Sequence, residues 1–382
     1  MVLLRDMNIL HTPARFYPNF WGVEKYVLTI GQELVQKGHN VKVICANEPK
    51  GEISSCYQGI RIRRLLTVVK IANTNITPRL LFELQSDHYD VIHTHIPTPW
   101  SADCSSLVAR IKKVPLIVTY HNDIGGKGIY HPIASIYNRT LLHFVLKQAK
   151  TIIVTNSNFI SPYLLPYRNK VTIIPNSVDI KVFRPVPGRM EGDIFFLGVL
   201  DGYHQYKGLE ILFVAIALVR REIPGIKLVV GGSGPMKEYY TGLCRSIGIY
   251  ENVDFVGYIP DNNLPDYYNR CKMVALPSID PTREGFGIVL LEAMACGRPV
   301  IATDLTGVAE DIRICGAGIV IEPGDAVALA KAIKTILNDP AFADRMGLAG
   351  RKLVEKKYGS DIVAGQVEQV YREAVSPENG NP

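Results

Sequence analysis

The sequence predicts an α/β protein with two Rossmann-like domains that face each other across a cleft. Its 382 residues exceed the ~250–300 residues that a single hydrophobic core usually holds. Short β-branched runs alternate with helix-length amphipathic segments, the pattern of parallel sheets with crossover helices. The segment Arg184-Pro-Val-Pro-Gly-Arg-Met breaks the pattern with two prolines and a glycine. We therefore expect domains at residues 1–187 and 188–357, followed by a final segment at 358–382.

Hydrophobic periodicity predicts the elements of the first domain. Apolar side chains from Val23 to Leu34 fall on one helical face, and Gly38 follows where a helix end favours a left-handed residue. The expected strands of this domain are Met7–His11, Asn40–Ala46, Val91–His95, Leu116–Tyr120, Thr151–Thr155 and Val171–Pro175.

The second domain repeats this alternation of strands and helices. Its expected strands are Asp193–Gly198, Lys227–Gly232, Val253–Val256, Met273–Pro277, Pro299–Ala302 and Ala317–Ile321. Its expected helices are Leu209–Arg221, Met236–Ser246, Leu264–Asn269, Ile288–Cys296 and Ala326–Leu337. Because open α/β sheets bind ligands at the carboxyl ends of their strands, the fold class alone predicts a ligand site at those ends. It does not predict the reaction.

Composition excludes several classes of protein. A hydrophobic fraction of 47% and a charged fraction of 20% are those of an ordinary globular chain. No run of ~18 apolar residues is present, and the first residues are too short for a signal-peptide core, so we expect a cytoplasmic protein. The seven cysteines are scattered without a paired spacing, which predicts reduced thiols rather than zinc ligands or disulfides.

Charge is distributed unequally between the two halves. Residues 1–187 contain 22 Lys and Arg against 11 Asp and Glu, a net +11, which leaves 20 against 25, a net −5, for the rest. Residues 53–82 and 124–178 carry cations and no carboxylate. Such a basic face can recruit anionic lipid at about 1 kcal/mol per well-placed cation, or it can be a solvated surface without a partner.

The richest segment for chemistry runs from Pro277 to Pro299. It reads as a strand, a polar loop, the glycines Gly285 and Gly287, and then a helix. Glycines before a helix let the backbone approach a ligand, and the free N–H groups of the first turn favour a phosphate. The segment therefore indicates a phosphate-binding turn.

Two glutamates lie in this segment. Glu292 is surrounded by apolar residues in the helix, and burying its carboxylate is costly unless it is hydrogen-bonded, for example by the two hydroxyls of a ribose. Glu284 lies before the helix, at the loop tip, and would project toward whatever the diphosphate carries. In the alternative interpretation Glu292 bridges to Arg298, and Glu284 acts only electrostatically on the helix end.

Two further glycine-rich turns join a strand to a helix in this domain. In the first, Lys207-Gly208 opens a helix, where the lysine either neutralises a diphosphate or is simply solvated. The second, Gly231-Gly-Ser-Gly-Pro, is weak evidence alone because such turns are often purely geometric.

The first domain offers a second group of candidates. Gly22 opens the first long helix, and a glycine there lets backbone amides face the cleft. His93, His95 and His121 lie at strand ends, which invites a metal hypothesis, but no helical ligand spacing or carboxylate cluster accompanies them. His121, beside Asn122, suits sugar hydroxyls better. Neither a nucleophile triad nor a Walker phosphate loop is present in the sequence.

Taken together, these segments resemble the retaining glycosyltransferases of the GT-B fold, family 4, also described as glycosyl transferases group 1. The resemblance covers nearly the whole chain and ends with Glu284 and Glu292, which have seven residues between them. The other motifs that carry it are Gly22-Val-Glu, Gly38-His-Asn-Val-Lys-Val, Asp90-Val-Ile-His-Thr-His, Val118-Thr-Tyr-His, Ile174-Pro-Asn-Ser-Val-Asp, Lys207-Gly, Gly232-Ser-Gly-Pro and Phe255-Val-Gly-Tyr-Ile.

The resemblance implies a role for each matching residue. Glu284 would contact the donor sugar near its reacting centre, His121 would bind that sugar, and Lys207 would hold the diphosphate. These three are the implied catalytic residues, and Glu292 would hold the ribose. The remaining implied donor contacts are Gly22 at the diphosphate, Phe286, Gly287 and Ile288 at the sugar and diphosphate, and Tyr258 and Ile259 at the base. No metal ion or other cofactor is implied, because cations and helix dipoles stabilise the leaving group.

The sequence departs from the family beside Gly198, which the resemblance also places at the donor. The family usually has Arg at the next position, where this chain has Val199. We expect His204 or Arg283 to replace the missing cation. The final segment Tyr358–Val375 resembles the family's C-terminal helix, which crosses back to the first domain.

The sequence supports one principal function and leaves alternatives open. The principal function is retaining transfer of a hexosyl unit from a UDP- or GDP-linked sugar to an acceptor hydroxyl. A lipid or lipid-linked acceptor is expected from the basic first domain, with peripheral binding to the inner face of the membrane. A nucleotide-sugar 2-epimerase would need carboxylates in the first domain, which has few. A non-catalytic subunit is favoured by Val199 and disfavoured by the candidate catalytic residues. No nucleic-acid partner is expected.

Overall fold

The computed structural model describes residues 6–18, 22–125, 130–156, 161–188, 190–280 and 283–376. The chain forms two compact α/β units. We call Met1–Asn176 with Ser360–Pro382 the first unit and Ser177–Gly359 the second unit. Within the described ranges, no helix has the length and the apolar character needed to cross a bilayer.

The first unit is built on an eight-stranded sheet in the order β10-β9-β8-β7-β1-β2-β4-β3. Its strands are parallel except β3, which pairs antiparallel with β4. The strands, including a separate hairpin formed by β5 and β6, are β1 Asn8–Thr12, β2 Asn40–Ala46, β3 Ser54–Tyr57, β4 Ile60–Leu65, β5 Val69–Ile71, β6 Thr74–Ile76, β7 Val91–Ile96, β8 Leu116–Tyr120, β9 Thr151–Val154 and β10 Val171–Ile173.

Within the described residues, five helices connect these strands and a sixth closes the unit. They are α1 Gly22–Gln36, α2 Leu80–Ser86, α3 Pro99–Lys112, α4 Tyr130–Arg139, α5 Leu141–Gln148 and, from the end of the chain, α13 Ser360–Val375. A 3-10 segment, Pro162–Lys170, precedes β10. Helix α13 buries Val363, Val367 and Tyr371 in the same apolar cluster as Val27 and Ile30 of α1. The last helix is therefore part of the core of the first unit.

The second unit has a six-stranded parallel sheet in the order β13-β12-β11-β14-β15-β16. This is the 3-2-1-4-5-6 order of the Rossmann fold, which places the switch point between β11 and β14. The strands are β11 Gly192–Leu197, β12 Leu228–Gly231, β13 Val253–Gly257, β14 Cys271–Leu276, β15 Val300–Thr303 and β16 Gly318–Ile321.

In the part of the second unit that the structure describes, seven helices cover the sheet. They are α6 Leu209–Val219, α7 Lys237–Ser246, α8 Leu264–Arg270, α9 Ile288–Ala295, α10 Ala309–Cys315, α11 Ala326–Asn338 and α12 Pro340–Leu353. Short 3-10 turns occur at His204–Lys207 and Tyr250–Asn252, and a π-helical turn at Val354–Tyr358. Two apolar clusters, one containing Phe213 and the other Leu290, form the core of the unit.

The structure confirms the predicted fold class, two Rossmann-like α/β units, but divides the chain differently from the predicted boundary at residue 187. Residues 177–187 belong to the second unit because their side chains and carbonyls are bound there. Val178 and Phe183 are buried in its core, and Arg351 donates to the carbonyl oxygen of Phe183 at 2.9 Å. The second division, between Gly359 and Ser360, lies close to the predicted start of the final segment.

Candidate functional site

Two loops meet at the switch point of the second unit. One follows β11 and contains Lys207; the other follows β14 and contains Glu284. Because β11 and β14 are neighbours in the sheet while their connections leave in opposite directions, their carboxyl ends border a crevice in which ligands of α/β proteins bind.

The charged groups of the two loops come together there. The Lys207 Nζ atom lies 4.0 Å from Oε2 of Glu284, and the Ser278 hydroxyl donates to the same oxygen at 2.8 Å. Glu284 is 6% exposed, and 16% of the Lys207 side chain is exposed. Ser278 and the bond from the Glu284 N–H group to the Asp280 carbonyl oxygen fold the Glu284 carboxylate inward, so the side chain is not exposed at the loop tip, and its contact with a donor stays a prediction. Sequence reasoning also missed Ser278, the first polar residue after the strand.

Glycines hold the two loops against each other. Gly208 has φ +76° and ends the short 3-10 turn that carries Lys207, and a Cβ atom there would lie 1.9 Å from the carbonyl oxygen of Pro277. The Ile279 N–H group donates to the carbonyl oxygen of Tyr206 at 2.8 Å. No side chain fits at Gly208, so the loop carrying Lys207 lies directly on the end of β14.

Gly198 and Gly232 allow a similarly close approach between the ends of β11 and β12. A Cβ atom on Gly232, at φ +121°, would meet the Gly198 carbonyl oxygen at 1.8 Å. A Cβ atom on Gly198 would approach the Lys207 Cδ atom at 3.0 Å and the Phe196 ring at 3.2 Å. Gly198 thus leaves the space in which the Lys207 side chain lies.

His204 and Arg283, the expected substitutes for the missing arginine, border this loop. The Asp201 carboxylate accepts from the His204 backbone N–H and lies 2.8 Å from Nδ1 of its ring. The Arg283 guanidinium lies 5.3 Å from the Tyr203 ring centre and 3.3 Å from the Asp280 carboxylate. Both side chains border this loop, each with an acidic partner of its own, while Val199 is exposed.

Glu292 is buried at 2% exposure, and the Tyr268 hydroxyl donates to its Oε2 at 2.6 Å. Burial and the neighbouring Glu292 charge raise the pKa of Tyr268 well above its ordinary value, so the phenol remains a donor. The alternative partner, Arg298, instead donates to the Cys296 carbonyl oxygen. Tyr268 was missed because a tyrosine inside a predicted helix gives no signal of its contacts.

The start of α9 supplies the next predicted contacts. Gly287 occupies the N-cap position with φ +85°, and Ile288 begins the helix. Phe286 is buried and packs edge-on against Tyr358, with ring centres 5.8 Å apart. The buried ring fixes the backbone just before the helix, whose first N–H groups favour an anion.

Tyr258 and Ile259 follow the outermost strand, β13. Tyr258 is 73% exposed, whereas Ile259 is buried and would lie 2.7 Å from a Cβ atom on Gly231. Ile259 therefore packs on the end of β12, and the exposed ring of Tyr258 is open to a planar ligand.

Gly22 and His121 belong to the first unit. Among the described residues, no atom lies within 4 Å of where a Gly22 Cβ atom would be, so packing alone does not demand glycine at this helix start. His121 follows β8 and is half-buried, with its backbone N–H donating to the Ile96 carbonyl oxygen at 2.9 Å.

Behind His121, the structure brings together histidines from adjacent strands. His11 of β1 is in register with His93 of β7, and His95 contacts both His11 and His121. Sequence reasoning grouped His93, His95 and His121 but missed His11. Potential ligand atoms of His11, His93 and His95 lie within 4.8 Å of one another. However, the His11 and His95 rings are inclined by only 12° and the His93 and His95 rings by 27°, and rings so nearly parallel do not aim their nitrogens at one ion.

Two family models match this chain. The model described as glycosyl transferases group 1 matches residues 179–353, and that described as glycosyltransferase family 4 matches residues 21–182. The chain is 28% identical to O-antigen chain mannosyltransferase C of Escherichia coli, over 96% of this chain and 98% of that protein.

A second relative and a solved structure extend the comparison. GDP-mannose-dependent alpha-(1-6)-phosphatidylinositol monomannoside mannosyltransferase of Mycolicibacterium smegmatis is 28% identical, over 88% of this chain and 91% of its own. The structure of sucrose-phosphate synthase from Thermosynechococcus elongatus superimposes with a TM-score of 0.75 at 25% identity, covering 96% of this chain and 98% of that one.

Proposed function

Because this chain belongs to the glycosyl transferases of group 1 and has the GT-B fold, we propose that it moves a hexosyl unit from a nucleotide-diphosphate sugar to an acceptor hydroxyl, with retention of configuration. The observation that carries this proposal is the meeting of Lys207 and Glu284 at the switch point of the second sheet. A cation beside a buried carboxylate suits a diphosphate linked to a polar sugar.

Each part of the donor has a candidate partner in the second unit. The Lys207 ammonium and the N-terminus of α9 would stabilise the negative charge of the departing diphosphate, without a metal ion. Glu284 would accept hydrogen bonds from the sugar. Glu292, oriented by the Tyr268 hydroxyl, would bind the ribose, and Tyr258 would border the base.

The proposed chemistry uses one face of the sugar. The bond from C1 to the diphosphate oxygen breaks, and the acceptor oxygen forms its bond to C1 from the same side. The acceptor proton passes to the departing phosphate oxygen. Neither Glu284 nor His121 is needed as a nucleophile in this scheme. Glu284 would position the sugar while positive charge develops at C1, and the role proposed for His121 in the first unit is a hydrogen bond with a sugar hydroxyl.

A lipid or lipid-linked acceptor is favoured by the name of the Mycolicibacterium relative, which contains a phosphatidylinositol mannoside, and by the surface of the first unit. Helix α4 follows the carboxyl end of β8, beyond His121, and exposes Ile133 by 54% and Ile136 by 63%. The β5–β6 hairpin, after the carboxyl end of β4, is preceded by Leu66, which is 71% exposed. We define these exposed side chains as the apolar rim. Because both segments leave the carboxyl ends of their strands, we assign the apolar rim to the sheet edge that His121 follows, where an acyl chain near the acceptor would be.

The partners of the individual cations show which of them are available to an anionic lipid surface. In residues 53–82, Arg63 pairs with Glu83 at 2.7 Å, Lys70 pairs with Glu48 at 2.6 Å, and Arg64 is buried. Arg63 and Lys70 are therefore balanced by carboxylates outside the stretch, whereas the Arg64 guanidinium donates to the carbonyl oxygens of Glu52 and Tyr17 and to the Ser55 hydroxyl. Arg139, at the end of α4, is exposed beside the apolar rim and is the best-placed cation for an anionic headgroup.

Other cations of the basic half lie elsewhere. Lys150 and Lys170 directly precede β9 and β10, at the amino edge of the sheet. Burial, and secondly the nearby charge of Lys147, lower the pKa of Lys170. Lys127 lies outside the described residues. We therefore assign peripheral membrane binding to the apolar rim and Arg139 rather than to the whole basic half.

The decisive experiment is a donor panel. Purified protein is heated with UDP- and GDP-sugars, GDP-mannose first because the Mycolicibacterium relative is named for it, and the stabilising donor is then incubated with lipid acceptors. We expect one donor to raise the unfolding temperature and NMR of the product to show the donor's anomeric configuration. An inverted product, or conversion of the donor alone to an epimer, would refute the proposal.

A further inference from the structure

A continuous chain of hydrogen-bond contacts runs inward from His121 through the core of the first unit. It crosses three strands and reaches Tyr371 on α13, the last helix. The contacts are His121 Nε2 to His95 Nδ1 at 3.5 Å, His95 Nε2 to His11 Nδ1 at 3.3 Å, His11 Nε2 to the Tyr371 hydroxyl at 3.4 Å, the Tyr371 hydroxyl to His93 Nδ1 at 2.5 Å, and His93 Nε2 to the Thr119 hydroxyl at 2.7 Å. We call this set the histidine chain.

The geometry of the rings fits a chain. The His11 and His95 ring centres are 5.5 Å apart with planes inclined by 12°, and those of His95 and His121 are 5.7 Å apart with planes inclined by 25°. Rings that are nearly parallel and joined nitrogen to nitrogen hydrogen-bond edge to edge. Tyr371 meets His93 at 80°, which brings its hydroxyl to the ring nitrogen.

The histidines of the chain are neutral. Burial lowers the pKa of His11 to about 3 and that of His121 to about 4. Burial, followed by the neighbouring histidines, lowers the pKa of His93 and His95 well below the ordinary value. A neutral imidazole has one N–H donor and one bare nitrogen acceptor.

Because each neutral ring donates through one nitrogen and accepts through the other, all hydrogen bonds of the histidine chain run in the same direction. If His121 donates through Nε2, then His95, His11 and His93 each donate through Nε2 as well, and Thr119 accepts. If Thr119 donates, the order reverses and all four rings carry the proton on Nδ1. Tyr371 transmits the direction because its hydroxyl accepts from one neighbour and donates to the other. The four rings therefore change tautomer together, between a state with all protons on Nε2 and a state with all protons on Nδ1.

We propose that Tyr371 is a positioning residue that fixes the tautomer of His121 through His11 and His95, and so decides whether Nδ1 of His121 donates to or accepts from a sugar hydroxyl. The contact with the sugar rests on the proposed function; the coupling of tautomers does not. In this way Tyr371, on the last helix α13, sets the hydrogen-bonding pattern of His121, the proposed sugar-binding side chain of the same unit.

The test reads tautomers directly in the intact, ligand-free protein. Histidine ¹⁵N labelling with two-bond ¹H–¹⁵N correlation distinguishes protonated from bare ring nitrogens. We expect His11, His93, His95 and His121 to share one tautomer, all Nε2–H or all Nδ1–H. Opposite tautomers among these four rings in the wild-type protein would overturn the proposal.

Variants then separate coupling from packing. Tyr371→Phe retains the ring and removes the hydroxyl, so we expect the His121 nitrogens to shift toward a mixture of both tautomers. Val367→Ala is the matched control, because it removes buried volume from the same face of α13 and leaves the histidine chain intact. An unchanged His121 signal in Tyr371→Phe, or the same shift in Val367→Ala, would contradict the role of the hydroxyl.

Kinetics test the link to the donor. Loss of one oriented hydrogen bond predicts that Tyr371→Phe raises KM for the donor about 2- to 10-fold with little change in kcat. Altered tautomers with unchanged KM would refute the sugar contact while leaving the coupling intact. If no donor binds the wild-type protein, the proposed function fails and the spectra alone decide the coupling.

Discussion

The Nζ atom of Lys207 lies 4.0 Å from Oε2 of Glu284, although the two residues follow different strands of the sheet. This distance is at the outer limit of an ion pair, so the two charges balance each other without a tight contact. Ser278 holds Glu284 from behind at 2.8 Å. A ligand with an anionic and a hydroxylated part can therefore bind both groups without first breaking a strong pair.

Removing either charge should abolish most of the transfer activity. We expect Lys207→Ala and Glu284→Ala each to lower kcat/KM at least ~100-fold, because each would leave the leaving group or the sugar without its main polar partner. The double variant should cost less than the product of the two losses, since the groups act together. Lys272→Ala is the control: it removes a cation of the second unit that pairs with Asp193 at 2.8 Å. Near wild-type turnover in both site variants would remove the assignment.

Tyr268→Phe should weaken the nucleotide site without changing its shape. The variant leaves the buried Glu292 carboxylate without the donor at 2.6 Å, which we expect to destabilise the second unit by about 1–3 kcal/mol. Nucleoside diphosphate binding should weaken too, because the carboxylate is no longer oriented. Urea unfolding and calorimetric titration measure the two effects. Tyr267→Phe, on the same helix, should leave both nearly unchanged; equal losses in the two variants would argue against a specific role for Tyr268.

Gly198→Ala tests whether the space beside Lys207 matters. The added methyl group would lie 3.0 Å from the Lys207 Cδ atom and 3.2 Å from the Phe196 ring, so the lysine side chain must move. We expect donor KM to rise by about 10-fold while the unfolding temperature changes little, because the lysine end is flexible. Gly202→Ala in the same loop meets no described atom within 4 Å and serves as the control. Unchanged donor KM in Gly198→Ala would show that Lys207 does not need this position.

The sequence predicted the strands well because each parallel strand is a short buried run between turn residues. Asn40–Ala46 and Leu116–Tyr120 match the structure residue for residue. Strand β4, with three arginines among its six residues, and the short β5–β6 hairpin were missed because they lack a continuous apolar run.

The polar residues directly after strands were also predictable, since carboxyl ends share one edge of a sheet. That rule placed His121, directly after β8, and the loops that contain Lys207 and Glu284 at such edges, while the roles of the three residues stay predictions. It could not identify Tyr268 or Tyr371, because both lie within helices and act through contacts that only tertiary packing creates. His11, the last but one residue of β1, gave no signal without the register that aligns it with His93.

The apolar rim predicts binding to membranes. We expect co-sedimentation with anionic vesicles at low salt that falls as the salt concentration rises, because Arg139 contributes an electrostatic term that salt screens. Ile133→Ser combined with Ile136→Ser should reduce binding at every salt concentration by removing the apolar term. Ile314→Ser removes an apolar side chain that is 74% exposed on the second unit and should have no effect. Binding that is absent at low salt, or equally reduced by the control, would refute the assignment.

The neutral histidine chain predicts that acid selectively destabilises the first unit. Burial lowers the folded-state pKa of His11 to about 3 and of His121 to about 4, against about 6.5 in an unfolded chain. Below pH 6.5 the unfolded state therefore binds more protons than the folded state, and the free energy of unfolding falls as the pH falls. Each such proton contributes about 1.4 kcal/mol per pH unit until the folded pKa is reached.

Asp103 opposes this trend in the same unit. Burial raises its pKa to about 6, so its protonation on folding adds stability as the pH falls. Because several histidines outweigh one carboxyl group, we expect urea unfolding to show a net loss of stability between pH 6.5 and pH 5. His11→Asn should make that loss shallower by about one proton, whereas His88→Asn, at a side chain that is 76% exposed, should not. A stability that stays constant over this interval would mean that the buried rings can be protonated in the folded protein, and the single direction of the histidine chain would then no longer hold.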